Sequence, residues 1–167
     1  MLEIYPWYGV AEGASLSQGE LFEACPYLQV NASGEIVQTN YDVVILSQSC
    51  DLANDKLDIV QVCPFWTLVA LAANVVFLQS RKGKEDLRRG NLPGYHLLNR
   101  CLIPRLETDF LVVDFRSVFG VKLTSLRELA VHRSPLPCLL PPYREHLAQA
   151  FARFFMRVGL PVDIPPF

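Results

Sequence analysis

The run Ser47-Gln48-Ser49-Cys50-Asp51 is the densest set of reactive side chains in the chain, and it leaves the end of the most apolar strand candidate. Polar residues at such an exit are held by a rigid backbone while their side chains face solvent. Cys50 as a nucleophile would need a base and a depressed thiol pKa. His96, in a polar break beside Gly94, is the first candidate base, with His132 and His146 as alternatives. Asp51 works against a thiolate next door, because a neighbouring negative charge raises a thiol pKa. Against this stands a structural reading, in which Cys50 is a small packed residue and Asp51, Asn54 and Asp55 shape a turn. Cys50, Asp51, His96 and Cys101 are all zinc-competent, but their separations follow no ligand-spacing pattern, so no metal and no cofactor is expected. Metal-free nuclease chemistry would need an acid, a base and a cation on the phosphorane. Arg116, His96, Asp51 and Gln48 supply that set only if the fold gathers them.

A second feature is electrostatic. Residues 81–105 contain Arg81, Lys82, Lys84, Arg88, Arg89, Arg100 and Arg105 against Glu85 and Asp86, a local net charge of +5 in a chain of −2. The remainder therefore carries −7. Arginines on phosphates with Tyr95 and His96 stacked on bases would suit a nucleic acid, RNA or DNA. An ordinary solvated helix face is the competing reading. Glycine-rich phosphate loops, a G-x-S-x-G elbow, H-E-x-x-H and dinucleotide fingerprints do not occur.

The elements that must position these residues are short. The chain is 51% hydrophobic and 19% charged over 167 residues, with a mean hydropathy of +0.22, which fits one globular domain and excludes a disordered or coiled-coil chain. The longest apolar stretch, residues 65–78, is shorter than the roughly 20 residues of a membrane span, and the first residues lack the pattern of a secretory signal. Five cysteines without a C-x-x-C pair suit reduced thiols, and with them a cytoplasmic protein.

Along the chain, residues 1–18 read as irregular. Leu21–Val30 reads as a strand with Pro26 at an edge, and Asn31-Ala32-Ser33-Gly34 as a hairpin turn. Residues 41–47 read as a strand buried on both faces. A polar loop over 48–58 leads to a strand over 59–63, stopped by Pro64. A helix is expected over 66–78, continuing or fraying into 79–89. Strands follow at 95–98 and 110–115, the second extending toward 121, then a short helix over 123–131 capped by Thr124 or Ser125. Residues 134–142, with four prolines, read as a stiff connector. A helix over 143–158 shows an apolar stripe of Leu147, Ala150, Phe151, Phe154, Phe155 and Val158, ending at Gly159. The stripe is wide enough to suggest a protein partner or a homodimer through this helix.

The order of these elements resembles the small SH3-like barrel of the toxin family typified by MazF, PemK and Kid. The residues that carry the resemblance are Gly19-Glu20, Gly34-Glu35, the 43–47 strand, the polar turn 51–58, the 60–64 strand, and Leu111-Val112-Val113-Asp114-Phe115-Arg116-Ser117-Val118, within residues 18–130. The family implies a homodimeric, metal-independent endoribonuclease of toxin–antitoxin systems. Where the family has an Arg-Pro before the central strand, this chain has Tyr41-Asp42, and the family's catalytic arginine has no counterpart between Gly34 and Asp42. The expected architecture is thus α+β: a small SH3-like, strongly bent antiparallel β-barrel with a helical insertion and a C-terminal helix. Residues 1–133 form the barrel-like domain, 134–142 the connector, and 143–167 the helix and tail packed on it. Three activities stay open: action on nucleic acid, a non-catalytic protein-interaction module, and a cysteine enzyme centred on Cys50.

Overall fold

Strand β3 (Ile36–Ile45) sets the architecture, because its last residues alternate between two separate cores. Val44 joins one apolar cluster and Val43 and Ile45 the other, all fully buried. A strand covered on both faces needs no polar alternation, which is why this segment reads as a continuous apolar run. The computed structural model describes residues 5–156.

Sequence order runs β1 (Tyr8–Ala11), β2 (Leu21–Val30), β3, α1 (Ser49–Ala53), β4 (Ile59–Thr67), α2 (Leu68–Asn74), a 3₁₀ turn (Val76–Gln79), α3 (Arg81–Arg88), β5 (Tyr95–Leu98) and β6 (Leu111–Asp114). A second 3₁₀ turn (Phe115–Ser117), β7 (Phe119–Lys122), α4 (Leu123–Arg133), β8 (Leu136–Leu139) and α5 (Tyr143–Phe155) complete it. The main sheet is antiparallel in the order β2-β3-β4-β6-β5, with β7 also on β4, and β1 pairs β8 in a two-stranded sheet. The α+β, mostly antiparallel expectation is met. Barrel closure is not: among the described residues β5 pairs only β6, so the sheet they form is open at the β5 edge.

One core lies between the sheet and α5, through Phe65, Val113, Phe115 and Leu147. The second lies beneath α4, through Phe22, Val62, Leu126 and Ala130. A third, smaller core of Leu78, Leu87 and Val112 seats α3 on the far face of β5 and β6.

Several local expectations are corrected. Residues 8–11 form β1, and the proline-rich segment supplies its partner β8, with Val10 opposite Pro137. Pro64 does not stop β4, which runs on to Thr67. The Leu46 N–H donates to the Gln61 carbonyl, so Val43 and Pro64 form a pair that exchanges no hydrogen bonds, and the missing donor lies on the β6 side, where that strand ends. The helix expected over 66–78 is only α2, capped by the Thr67 hydroxyl on the Ala70 N–H, and α3 is a separate helix capped by Ser80. The polar loop after β3 contains α1. Neither Thr124 nor Ser125 caps α4, whose N-cap is Lys122. Val158 and Gly159 lie outside the described residues. Among the described residues no helix is long and apolar enough to cross a membrane.

Candidate functional site

The free edge of β5 decides where charge collects. Alternation along this strand sends Tyr95 and Leu97 to the α3 side and Leu98 to the α5 side, where His96 meets Phe115. Two helices on opposite faces of the sheet therefore present side chains around one edge. Leu87, Arg88, Arg89 and Gly90 at the end of α3 meet His146, Gln149 and Arg153 of α5 across Tyr95 and His96, enclosing a groove of about 820 Å³. No carboxylate lines it among the described residues. A second hollow of about 810 Å³ shares Arg88, Arg89 and Leu97 and continues the basic surface to Arg81 and Lys84.

The cations are not equivalent. Glu85 accepts hydrogen bonds from Arg88 Nε at 2.8 Å and Arg89 Nε at 2.6 Å, and these bonds hold its carboxyl down to about 2. Arg81, Lys82 and Lys84 form no ion pair among the described residues. Arg100 is occupied elsewhere, bonded to Asp109 at 2.9 Å and over the Phe110 ring at 4.6 Å. Arg105 lines a separate cavity with Arg133 and Glu107. Of the residues expected to meet nucleic acid, Arg81, Lys84, Arg88, Arg89 and Tyr95 share one continuous surface; Lys82 lies on α3 outside either hollow, and Arg100 stands apart.

The His96 ring stacks toward Phe115, with centroids 6.2 Å apart. Its Nε2 is buried and has no hydrogen-bond partner among the described residues. Burial, reinforced by the nearby positive charges of His146 and Arg153, lowers its pKa to about 4, so the imidazole is neutral at pH 7. Arg116 is committed to structure: its guanidinium grips Asp114 with two bonds of 2.7 Å, donates to the Tyr95 hydroxyl, and lies 4.4 Å over the Tyr95 ring. The nearly buried Asp114 thus fixes Arg116, and Arg116 fixes Tyr95. Bonding to Asp114 pushes the Arg116 pKa further up.

The other sequence candidates do not join this groove. Gln48 and Asp51 line a different hollow with Ser47, Gln61, Phe151 and Ala152, against another side of α5. Cys50 is exposed on α1, its Sγ 3.8 Å from Asp51 Oδ1, and Asp51 faces Lys56 at 3.8 Å. Cys101 is buried in the core beneath α5. Cys50, Asp51, His96 and Cys101 are therefore not gathered, and no cluster of three or more His, Cys, Asp or Glu forms a metal-type group among the described residues. Nor does the set Gln48, Asp51, His96 and Arg116 converge. His132 is exposed at the end of α4.

Sequence reasoning marks His146 only as an alternative and passes over Gln149 and Arg153. The signal is nonetheless present: positions 146, 149 and 153 recur at helical spacing, a polar stripe beside the apolar one. Comparison with protein-family models, with characterised proteins and with solved structures gives no match, so the groove is interpreted from its own chemistry.

Proposed function

We propose that this protein binds single-stranded nucleic acid along the basic groove that wraps the free edge of β5. The observation that carries the reading is the meeting of Arg88, Arg89 and Arg153, from helices on opposite faces of the sheet, around the rings of Tyr95 and His96. Guanidinium groups meet phosphates, and rings give bases a surface that tolerates any sequence. The barrel-toxin resemblance adds a place in a bacterial conflict or toxin–antitoxin system, and with it a divergent SH3-like ancestry for the bent sheet. Growth arrest on expression, relieved by charge removal in the groove, is the expected result there.

Binding is tested directly by salt titration. Removing one cation from its phosphate lowers affinity about fivefold at 0.1 M salt and flattens the log–log salt slope by about 0.7 for a single strand. Arg81→Ala with Lys84→Ala is expected to weaken binding of a mixed-sequence oligonucleotide about 25-fold, for all sequences alike. Glu85→Gln should do the opposite and strengthen it about fivefold, because it releases Arg88 and Arg89 from their shared carboxylate. Affinity and slope that stay fixed in both variants would remove the groove from consideration.

A second reading, self-association through the end of α5, is favoured by one residue. Phe155 packs edge-on against Phe151 at 5.1 Å and Phe154 at 4.9 Å, yet is 61% exposed. Light scattering should show a dimer that Phe155→Asp dissociates without unfolding. A wild-type monomer would end this reading.

A further inference from the structure

We propose that a cavity of about 640 Å³ between β2, β4, β8 and the 105–108 loop binds a small zwitterion with an apolar body, of the class of apolar amino acids and their short peptides. It shares no lining residue with the basic groove, so the proposal stands apart from nucleic-acid binding. Its floor is apolar. Leu21 of β2, Phe65 of β4 and Leu136 of β8 are buried members of the two larger cores, and all three line it. A concave, mainly apolar space of this volume with a few polar groups on its walls suits a small organic ligand.

Four charged side chains line the same space, Arg105, Arg133, Glu23 and Glu107, and none of them forms an ion pair among the described residues. Arg133 ends α4, Glu23 lies in β2, and Arg105 and Glu107 belong to the loop between β5 and β6. Arg133 Nη2 donates to the Ala24 carbonyl at 3.3 Å, while its Nη1 is buried without a hydrogen-bond partner among the described residues. An unfilled donor on a shielded guanidinium is costly, and a carboxylate is the acceptor that matches its planar fork. A purely anionic ligand would meet both glutamates, and a purely cationic one both arginines. A zwitterion satisfies charges of both signs.

The backbone sets these groups in place before a ligand arrives. β2 is irregular between Phe22 and Cys25, and Ala24 there has φ +47°, with its N–H on Asp42 Oδ1 at 2.8 Å. The carbonyl of that same residue is the one that Arg133 holds. The loop is tied at its ends by the bridge of Cys101 with Thr108, and it turns through Arg105 at φ +70°. Left-handed backbone at two non-glycine residues costs the fold stability, and such positions cluster where ligands are held. Each extended residue adds about 3.5 Å, so a dipeptide fills a space of this volume better than a single amino acid.

The test is calorimetric titration of the full chain with leucine, leucyl-leucine, N-acetyl-leucyl-leucine and leucyl-leucine amide. Leucyl-leucine is expected to bind with a Kd below about 1 mM. Removing its ammonium by acetylation, or its carboxylate by amidation, should each weaken binding about tenfold. Arg133→Gln should weaken leucyl-leucine about tenfold and leave the amide unchanged. Glu23→Gln with Glu107→Gln should weaken leucyl-leucine to a similar extent and leave the N-acetyl form unchanged. Both glutamates are exposed, so this variant puts no core packing at risk. Free leucine separates the amino acid from its peptides, and binding of either that needs both charges supports the site. An N-acetyl form bound as tightly as leucyl-leucine overturns the zwitterion in favour of a plain anion. An amide bound as tightly overturns the carboxylate and the role of Arg133. No binding of leucine or leucyl-leucine to the wild type overturns the site.

Discussion

Replacing Gly83 by alanine is expected to destabilise the protein by about 3 kcal/mol, although alanine is the better helix former by about 1 kcal/mol. A Cβ at position 83 would lie 1.9 Å from the carbonyl oxygen of Phe77 and 2.8 Å from its carbon. Those are backbone atoms of the preceding 3₁₀ turn and cannot swing aside. Ser80 pins the two segments together: its Oγ donates to the Phe77 carbonyl at 2.9 Å and accepts from the Gly83 N–H at 2.9 Å. The substitution must therefore lift the first turn of α3 off the sheet. Leu87, the buried anchor of α3, and the arginines at its end would move with it. Gly90→Ala is the matched control, since position 90 has φ +71° and no atom within 4 Å of an added Cβ. That change meets only the left-handed backbone penalty, about 1 kcal/mol. Chemical denaturation should rank Gly83→Ala well below Gly90→Ala. A Gly83→Ala protein as stable as the wild type would mean that α3 is not docked as described.

The same segment shows what was legible in the sequence. Charge composition located the basic row on α3, because a surplus of Arg and Lys within 25 residues needs no tertiary information. The apolar run of β3, the Asn31–Gly34 turn, the four residues of β5 and the stripe on α5 were readable for the same reason: each is a local pattern. What escaped depended on partners distant in sequence. β8 contains prolines that argue for a connector, and only the pairing with Tyr8–Ala11 makes it a strand. β4 passes through Pro64 because that residue pairs with Val43 at a position that exchanges no hydrogen bonds, and its other side lies where β6 ends. The groove was invisible for a related reason. Arg88 and Arg153 approach because α3 and α5 sit on opposite faces of one sheet and, among the described residues, the strand between them has no outer partner. A closed barrel would have paired that edge and removed the site. The set Gln48, Asp51, His96 and Arg116 is not gathered, because Gln48 and Asp51 line a separate hollow and Asp114 holds Arg116, and no local pattern in the sequence carries either fact.

Two buried groups of opposite kind should give this protein a stability profile that single substitutions split apart. Glu20 is 2% exposed just before β2, its backbone in a β-bridge with Cys138, and among the described residues only the Ser17 N–H donates to its carboxylate, at 2.7 Å. Burial raises its pKa from 4.5 to about 7. The folded state then holds a proton that the unfolded chain has released, so this contribution is complete below pH 4.5 and is lost as pH rises through 7. His96 runs the other way. Its pKa falls from 6.5 to about 4 on folding, so its contribution is complete above pH 6.5 and is lost as pH falls through 4. Each is worth about 3 kcal/mol at full extent. In the wild type the two slopes oppose each other between pH 4.5 and 6.5 and nearly cancel. Glu85, held down to about 2 by its arginines, titrates below that window and leaves the cancellation intact. Glu20→Gln keeps an acceptor for the Ser17 N–H and should expose the histidine arm, with stability rising by about 3 kcal/mol from pH 4 to 6.5. His96→Gln should expose the carboxyl arm, with stability falling by a similar amount from pH 4.5 to 7. Slopes decide the matter, because each substitution also shifts the baseline through packing. Urea titrations at half-unit pH steps would show two variants whose slopes have opposite sign. Parallel curves in the two variants would mean that these groups do not change protonation on folding.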